Sequence, residues 1–118
     1  MAALLVSRDL WFTSQVSGGA ARVQVEVRTV ADVASIEPQS SSVTLAIVDL
    51  NTPNLAVDDC VARLREASPG VHIVACGPHV RRERLQAARD AGCDQVLSQG
   101  QFHANVAELL ANYGSRQS

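Results

Sequence analysis

Short apolar runs alternate along this chain with longer segments whose apolar residues recur every three or four positions, so strands and helices take turns. Ala3-Leu4-Leu5-Val6 is a continuous apolar run, the pattern of a strand buried on both faces. Asp9 can cap a helix from about Leu10 to Ala20, with Phe12 and Val16 four apart on one face and Gly18-Gly19 weakening its end. Val23, Val25 and Val27 then alternate with Gln24, Glu26 and Arg28, which predicts an edge strand with one wet face. Thr29 with Asp32 three residues on is an imperfect capping box, opening a short helix that Pro38 and Ser40-Ser41-Ser42 end.

Leu45-Ala46-Ile47-Val48 reads as a central strand ending at Asp49, with Asn51-Thr52-Pro53-Asn54 as the loop beyond it. A helix follows from about Ala56 to Ala67, with Val57, Val61 and Leu64 on one face and Ser68-Pro69-Gly70 as its stop. Val71 to Cys76 is a fourth strand, broken by Gly77-Pro78. Val80 to Ala91, rich in Ala and Arg, reads as helix with Gly92 as its C-terminal cap, and Gln95-Val96-Leu97-Ser98 as a fifth strand. In the last helix Phe102, Val106, Leu109, Leu110 and Tyr113 recur at three- and four-residue steps, and residues 115–118 form a frayed polar tail.

Five strands alternating with five helices over short connections predict an α/β domain of flavodoxin-like type: a parallel five-stranded sheet, order 2-1-3-4-5, between two helical layers. In such sheets a site forms at the carboxyl ends of the strands, beside the reversal of strand order. That places Ser7, Arg8 and Asp9 next to Asp49, with Cys76 and Gly77 across the pocket.

Composition narrows the picture. The 118 residues suit one domain spanning 1–118, and the 47% hydrophobic share fills one core, with aliphatic packing because aromatics are only 3%. The net charge of −2 and scattered arginines argue against a nucleic-acid footprint. All ten basic residues are Arg; there is no Lys. Cys60, Cys76 and Cys93 show neither disulfide nor zinc spacing, and His72, His79 and His103 show no metal-ligand spacing, which predicts reduced thiols, a cytoplasmic setting and no metal. No apolar run has the length of a membrane span. No glycine-rich phosphate loop follows the first strand, so no nucleotide cofactor is expected, and no catalytic triad stands out.

The segment Leu45-Ala46-Ile47-Val48-Asp49-Leu50-Asn51-Thr52-Pro53 resembles the third strand and phosphoacceptor loop of response-regulator receiver (CheY-like) domains. Ala87 to Leu97, around Ala91-Gly92, is similar to the end of their fourth helix and their fifth strand, and Phe102 to the opening of their final helix. The resemblance implies that Asp49 stands where a receiver takes a phosphoryl group from a histidine kinase, that the carbonyl of Asn51 stands where Mg²⁺ is helped to bind, and that Pro53 completes the loop. It also implies that the surface of the fourth helix, fifth strand and fifth helix carries dimerisation and output.

The departures from that pattern are electrostatic. Ser7 and Arg8 stand where receivers carry an acidic pair, and Asp9 comes one position late. Ala75 or Cys76 replaces the phosphoryl-binding hydroxyl, and Gln99 with Gly100 replaces Lys-Pro. Without acids to hold Mg²⁺ or an ammonium to meet the anion, Asp49 is expected to be a vestigial phosphoacceptor. Its carboxylate is expected to pair with Arg8, which would lower its pKa, or to cap local N–H groups. A thiol-redox role for Cys76 is disfavoured by its apolar neighbours, and Cys60 reads as core. His103 reads as a helix-start surface residue, and Trp11 as either core or contact. Arg81, Arg82, Arg84 and Arg89, with Phe102, form the candidate partner face, set against a merely solvated helix surface. The expected function is that of a stand-alone, non-enzymatic pseudo-receiver acting on a protein partner or as a homodimer. The rivals are a phosphorylatable regulator using Asp49 in a phosphorelay and a sensor holding a small ligand in the emptied pocket.

Overall fold

The structure is a computed structural model that describes residues 2–32, 36, 43–52 and 55–114. Its elements are β1 (Ala2–Val6), α1 (Leu10–Val23), β2 (Glu26–Val30), β3 (Val43–Asp49), α2 (Val57–Ala67), β4 (His72–Gly77), α3 (Arg82–Ala91), β5 (Gln95–Ser98) and α4 (Gln99–Leu109), which runs into a π-helical turn at Leu110–Gly114. All strand pairs are parallel and the order is β2-β1-β3-β4-β5, as the alternation of patterns predicted.

The continuous apolar runs of β1, β3 and β4 follow from burial on both faces. Leu4, Val6, Ala46, Val48, Ile73 and Ala75 point to one side, where Cys60, Val61 and Leu64 of α2 and Leu85 and Ala88 of α3 cover them. Their sequence neighbours Ala3, Leu5, Leu45, Ile47, Val74 and Cys76 point to the other, under Phe12, Val16 and Ala20 of α1 and Phe102 and Leu109 of α4. β2 lies at the sheet edge as expected, but its side chains are exposed or half-buried, without the buried face that the alternating valines predicted.

Several boundaries differ from expectation: β4 runs from His72 through Gly77, which ends the strand and does not break it earlier, and α3 opens at Arg82 instead of Val80. Gly18 and Gly19 do not end α1; the helix continues to Val23 and closes with Gln24 in the left-handed region at φ 58°. A β-carbon on Gly19 would stand 3.3 Å from Val106 Cγ1, so the missing side chain lets α1 and α4 approach closely. Val23 therefore belongs to α1, Val25 is buried in the connection, and β2 begins only at Glu26. Thr29 lies within β2 and caps no helix; the helix expected after it falls on residues outside the described set, save Ile36, which is buried. Four α-helices thus stand among the described residues. The last helix opens at Gln99, not at Phe102, because Ser98 and Gln101 form a reciprocal capping box. The loop residue Pro53 and the tail 115–118 lie outside the described residues.

Candidate functional site

Asp49 ends β3 beside Cys76 of β4, 2% exposed. Its two carboxylate oxygens are both engaged from within the chain. The Ser7 hydroxyl donates to Oδ2 at 2.8 Å, and the Asn51 backbone N–H donates to Oδ1 at 2.9 Å. Ser7 is itself fixed: its N–H donates to the Val30 carbonyl at 3.0 Å, and its hydroxyl oxygen accepts the Asp9 N–H at 3.1 Å. The carboxylate therefore fastens the ends of β1 and β3 and the turn that follows, closed by Thr52 N–H to the Asp49 carbonyl at 3.0 Å. Burial pushes the Asp49 carboxyl above its ordinary value, against the opposing pull of the Asn51 and Ser7 hydrogen bonds and with help from the nearby Asp9 charge.

Of the two roles expected for this carboxylate, capping of a local N–H is present, through Asn51, whereas the pairing with Arg8 is absent and with it the lowered pKa that the pairing would have brought. Side chains alternate at the strand end: Ser7 turns inward, Arg8 outward to solvent, and no ion pair joins Arg8 to Asp49. Asp9 serves as the N-cap of α1, accepting the N–H groups of Trp11 and Phe12 at 2.9 and 3.2 Å. Asn51 contributes its backbone, with its side chain exposed. Cys76 is fully buried, and burial together with Asp49 pushes its thiol up to about 12, so it is no reactive thiolate. Gln99 opens α4, half-buried. Cys60, pushed up to about 12, and Cys93, pushed up to about 11, are likewise inert through burial.

These residues do not fit a Mg²⁺ site. A hard divalent cation wants several free carboxylate or carbonyl oxygens. Here the Ser7 proton points at the one buried carboxylate, and the second acid is a helix cap. Among the described residues no cluster of three or more His, Cys, Asp or Glu side chains could hold a metal.

The arginine series on α3 divides. Arg81 is exposed and stands 3.9 Å from Glu83; Arg82 and Arg89 are exposed. Arg84 is half-buried and donates to the Leu50 carbonyl, next to Asp49, so it braces the loop instead of facing a partner. Phe102 is fully buried, stacked on Phe12 at 5.2 Å between ring centres, and leaves the partner face. Its periodicity with Val106 and Leu109 marked the inner face of α4. His103 is likewise no surface residue: its ring packs edge-on against Trp11, Phe12 and Phe102, and both ring nitrogens are buried without a partner. Trp11 stays 58% exposed.

Sequence reasoning missed two features. Arg65 of α2 donates to the Val71 and Gly92 carbonyls and to Asp94, whose Oδ2 also accepts the Ile73 N–H at 2.8 Å. The Thr52 hydroxyl is buried without a partner beside Asp49. Neither carries a local signal, since Arg65 and Asp94 are 29 residues apart. Among the described residues no helix is long and apolar enough to cross a membrane.

No family model and no curated protein matches the sequence. Solved structures do. The receiver domain of sensor histidine kinase PA1611 from Pseudomonas aeruginosa, with magnesium in its active-site cleft, is 20% identical with a TM-score of 0.75, covering 98% of each chain. A CheY-like receiver domain protein from Methanospirillum hungatei is 18% identical with a TM-score of 0.74 over 92% of this chain and 89% of its own. The phosphorylated cyanobacterial phytochrome response regulator RcpA is 16% identical with a TM-score of 0.74 over 99% and 96%. By strand order, layering and near-complete overlap, this chain has the CheY-like fold of response-regulator receiver domains.

Proposed function

We propose that this chain is an atypical receiver module, cytoplasmic and without catalysis of its own, that signals through protein–protein contact and not through Mg²⁺-dependent phosphorylation of Asp49. One observation carries the reading. Both Asp49 oxygens accept hydrogen bonds from the chain itself, from Ser7 and Asn51, and the carboxylate is shut away from solvent. Phosphoryl transfer needs cations around the transferring group. With no Lys in the chain, Arg8 turned outward and Arg84 held by the Leu50 carbonyl, the described residues offer this cleft no free cation. The burial of Ser7 and Cys76 also speaks against a small-ligand cavity at the same place.

The test is incubation with acetyl phosphate, or with beryllofluoride, in the presence of Mg²⁺. Intact mass and amide chemical shifts are expected to stay unchanged. A gain of one phosphoryl group that Asp49→Ala abolishes would establish the rival reading, a phosphorylatable regulator.

A further inference from the structure

Helices α2 and α3 lie on the same face of the sheet, where Val61 and Leu64 of the first and Leu85 and Ala88 of the second share one core. Their opening turns do not close on each other. Between them lies an open cavity of about 290 Å³, lined among the described residues by Leu50, Leu55, Val57, Glu83, Arg84 and Ala87. Leu50 is buried, Leu55 and Val57 are half-buried against the core, and Ala87 is exposed. Ser7, Asp49 and Cys76 do not line it, so this cavity is separate from the closed Asp49 cleft.

Four of the six lining side chains are apolar, a surface that an apolar ligand body would remove from water. Arg84 supplies a polar end. Its Nη1 donates to the Leu50 carbonyl, which anchors the half-buried guanidinium at the cavity wall. Its Nε and Nη2 have no partner among the described residues. Those two nitrogens share one edge of the guanidinium, the edge that meets a carboxylate through two parallel N–H···O bonds.

The other charge at the wall limits the choice. Glu83 is exposed and stands 3.9 Å from Arg81. Its carboxylate opposes a second negative charge on the ligand, which disfavours phosphates and dicarboxylates. A neutral apolar ligand would cover the free N–H groups of Arg84 without giving them an acceptor. The volume sits at the low end of small-molecule sites, roughly 300–1,000 Å³, and suits a short chain, not a partner's helix.

We infer that the cavity between the starts of α2 and α3 binds a small apolar monocarboxylate of the medium-chain fatty-acid class. Its chain lies on Leu50, Leu55, Val57 and Ala87, and its carboxylate meets Nε and Nη2 of Arg84. The inference goes beyond the interaction-module reading: it gives the chain a ligand that links α2 to α3, the helix carrying the exposed Arg82 and Arg89.

The probe is octanoate, kept below micelle-forming concentrations and followed by amide chemical shifts of the full chain. Octanoate is expected to move the Leu50, Leu55, Val57 and Ala87 signals saturably. Octanamide, which lacks the charge, and suberate, which adds a second carboxylate, are expected to bind about tenfold more weakly. Arg84→Gln is expected to abolish the preference for octanoate over octanamide. That change also releases the Leu50 carbonyl, so a second variant leaves Arg84 alone. Ala87→Leu, at an exposed helical position, is expected to fill the cavity and weaken octanoate binding about tenfold or more, with circular dichroism unchanged. Octanamide binding as tightly as octanoate, undiminished affinity in Ala87→Leu, or shifts confined to other parts of the molecule each overturn the inference. So does an absence of shifts at millimolar octanoate, or a short apolar peptide whose free C-terminus binds more tightly than octanoate. None of these outcomes bears on Asp49, whose response to acetyl phosphate is read separately by mass.

Discussion

Ser7, just past the end of β1 and beside Asp49, donates its hydroxyl to the buried carboxylate. Removing it leaves a buried charge short of a donor. Ser7→Ala is expected to cost about 1.5–3 kcal/mol at neutral pH, measured by denaturant unfolding, and less in acid where the carboxyl is neutral. The pH dependence of Asp49 itself has a definite sign. Its folded pKa lies above the ordinary 3.8, so ionisation is harder in the folded chain than in the unfolded one. The resulting destabilisation is absent below pH 3.8 and sets in as pH rises from there through the folded pKa. Asp49→Asn is therefore expected to melt at a higher temperature than wild type at pH 7, with the two melts converging below about pH 4. Wild-type melting is expected to ignore millimolar Mg²⁺, whereas Ser7→Asp with Arg8→Asp should make it rise with Mg²⁺, as a ligand bound only by the folded state must. The place of Asp49 at a strand end was legible in the sequence, because apolar run, acid and loop follow in order. Its partner was not: which of two adjacent residues turns inward depends on the pleat of β1, and Arg8 offered a charge while Ser7 offered only a hydroxyl.

At the scale of elements, the buried strands were legible because a strand covered on both sides has no polar positions to blur it, and Val61 with Leu64 marked the inner face of α2. The region from Gly18 to Val30 was not legible. Alternating valines read as a strand, but Val23 ends α1 and Val25 fills the connection, since a helix end and a strand start can share a two-residue spacing. The paired glycines looked like a terminus, yet only one has an evident packing reason to be glycine. A β-carbon at Gly18 meets nothing within 4 Å, while one at Gly19 meets Val106 at 3.3 Å. Gly18→Ala is expected to stabilise the protein by about 0.5–1 kcal/mol through helix propensity, and Gly19→Ala to gain less or lose, as thermal melts of the two single variants would show. The start of α4 did have a sequence signal, the Ser98-x-x-Gln101 capping box, which the stronger apolar period from Phe102 onward masked. That period also conceals His103, whose ring fills the seam between α1 and α4 as an aromatic would.

Over the whole molecule, two carboxylates with opposite tendencies shape the response to acid. Burial works against Asp94, but the Ile73 N–H, the Arg65 guanidinium and the nearby His72 hold its carboxyl below the ordinary 3.8. Its stabilisation is in place above pH 3.8 and is lost as pH falls through the folded value, the reverse of Asp49. Arg65→Ala, which frees the Val71 and Gly92 carbonyls as well, is expected to cost about 1 kcal/mol at neutral pH, the exposed ion pair adding little. The difference from wild type should shrink below pH 3.8, read from unfolding midpoints across the acid range. The strand order has a consequence for synthesis on the ribosome. β1 is laid down first but lies between β2 and β3, and the Ser7–Asp49 link closes a loop of 42 residues. A nascent chain that has not yet released Asp49 leaves one flank of β1 bare, so this domain must wait for its middle before its beginning can settle.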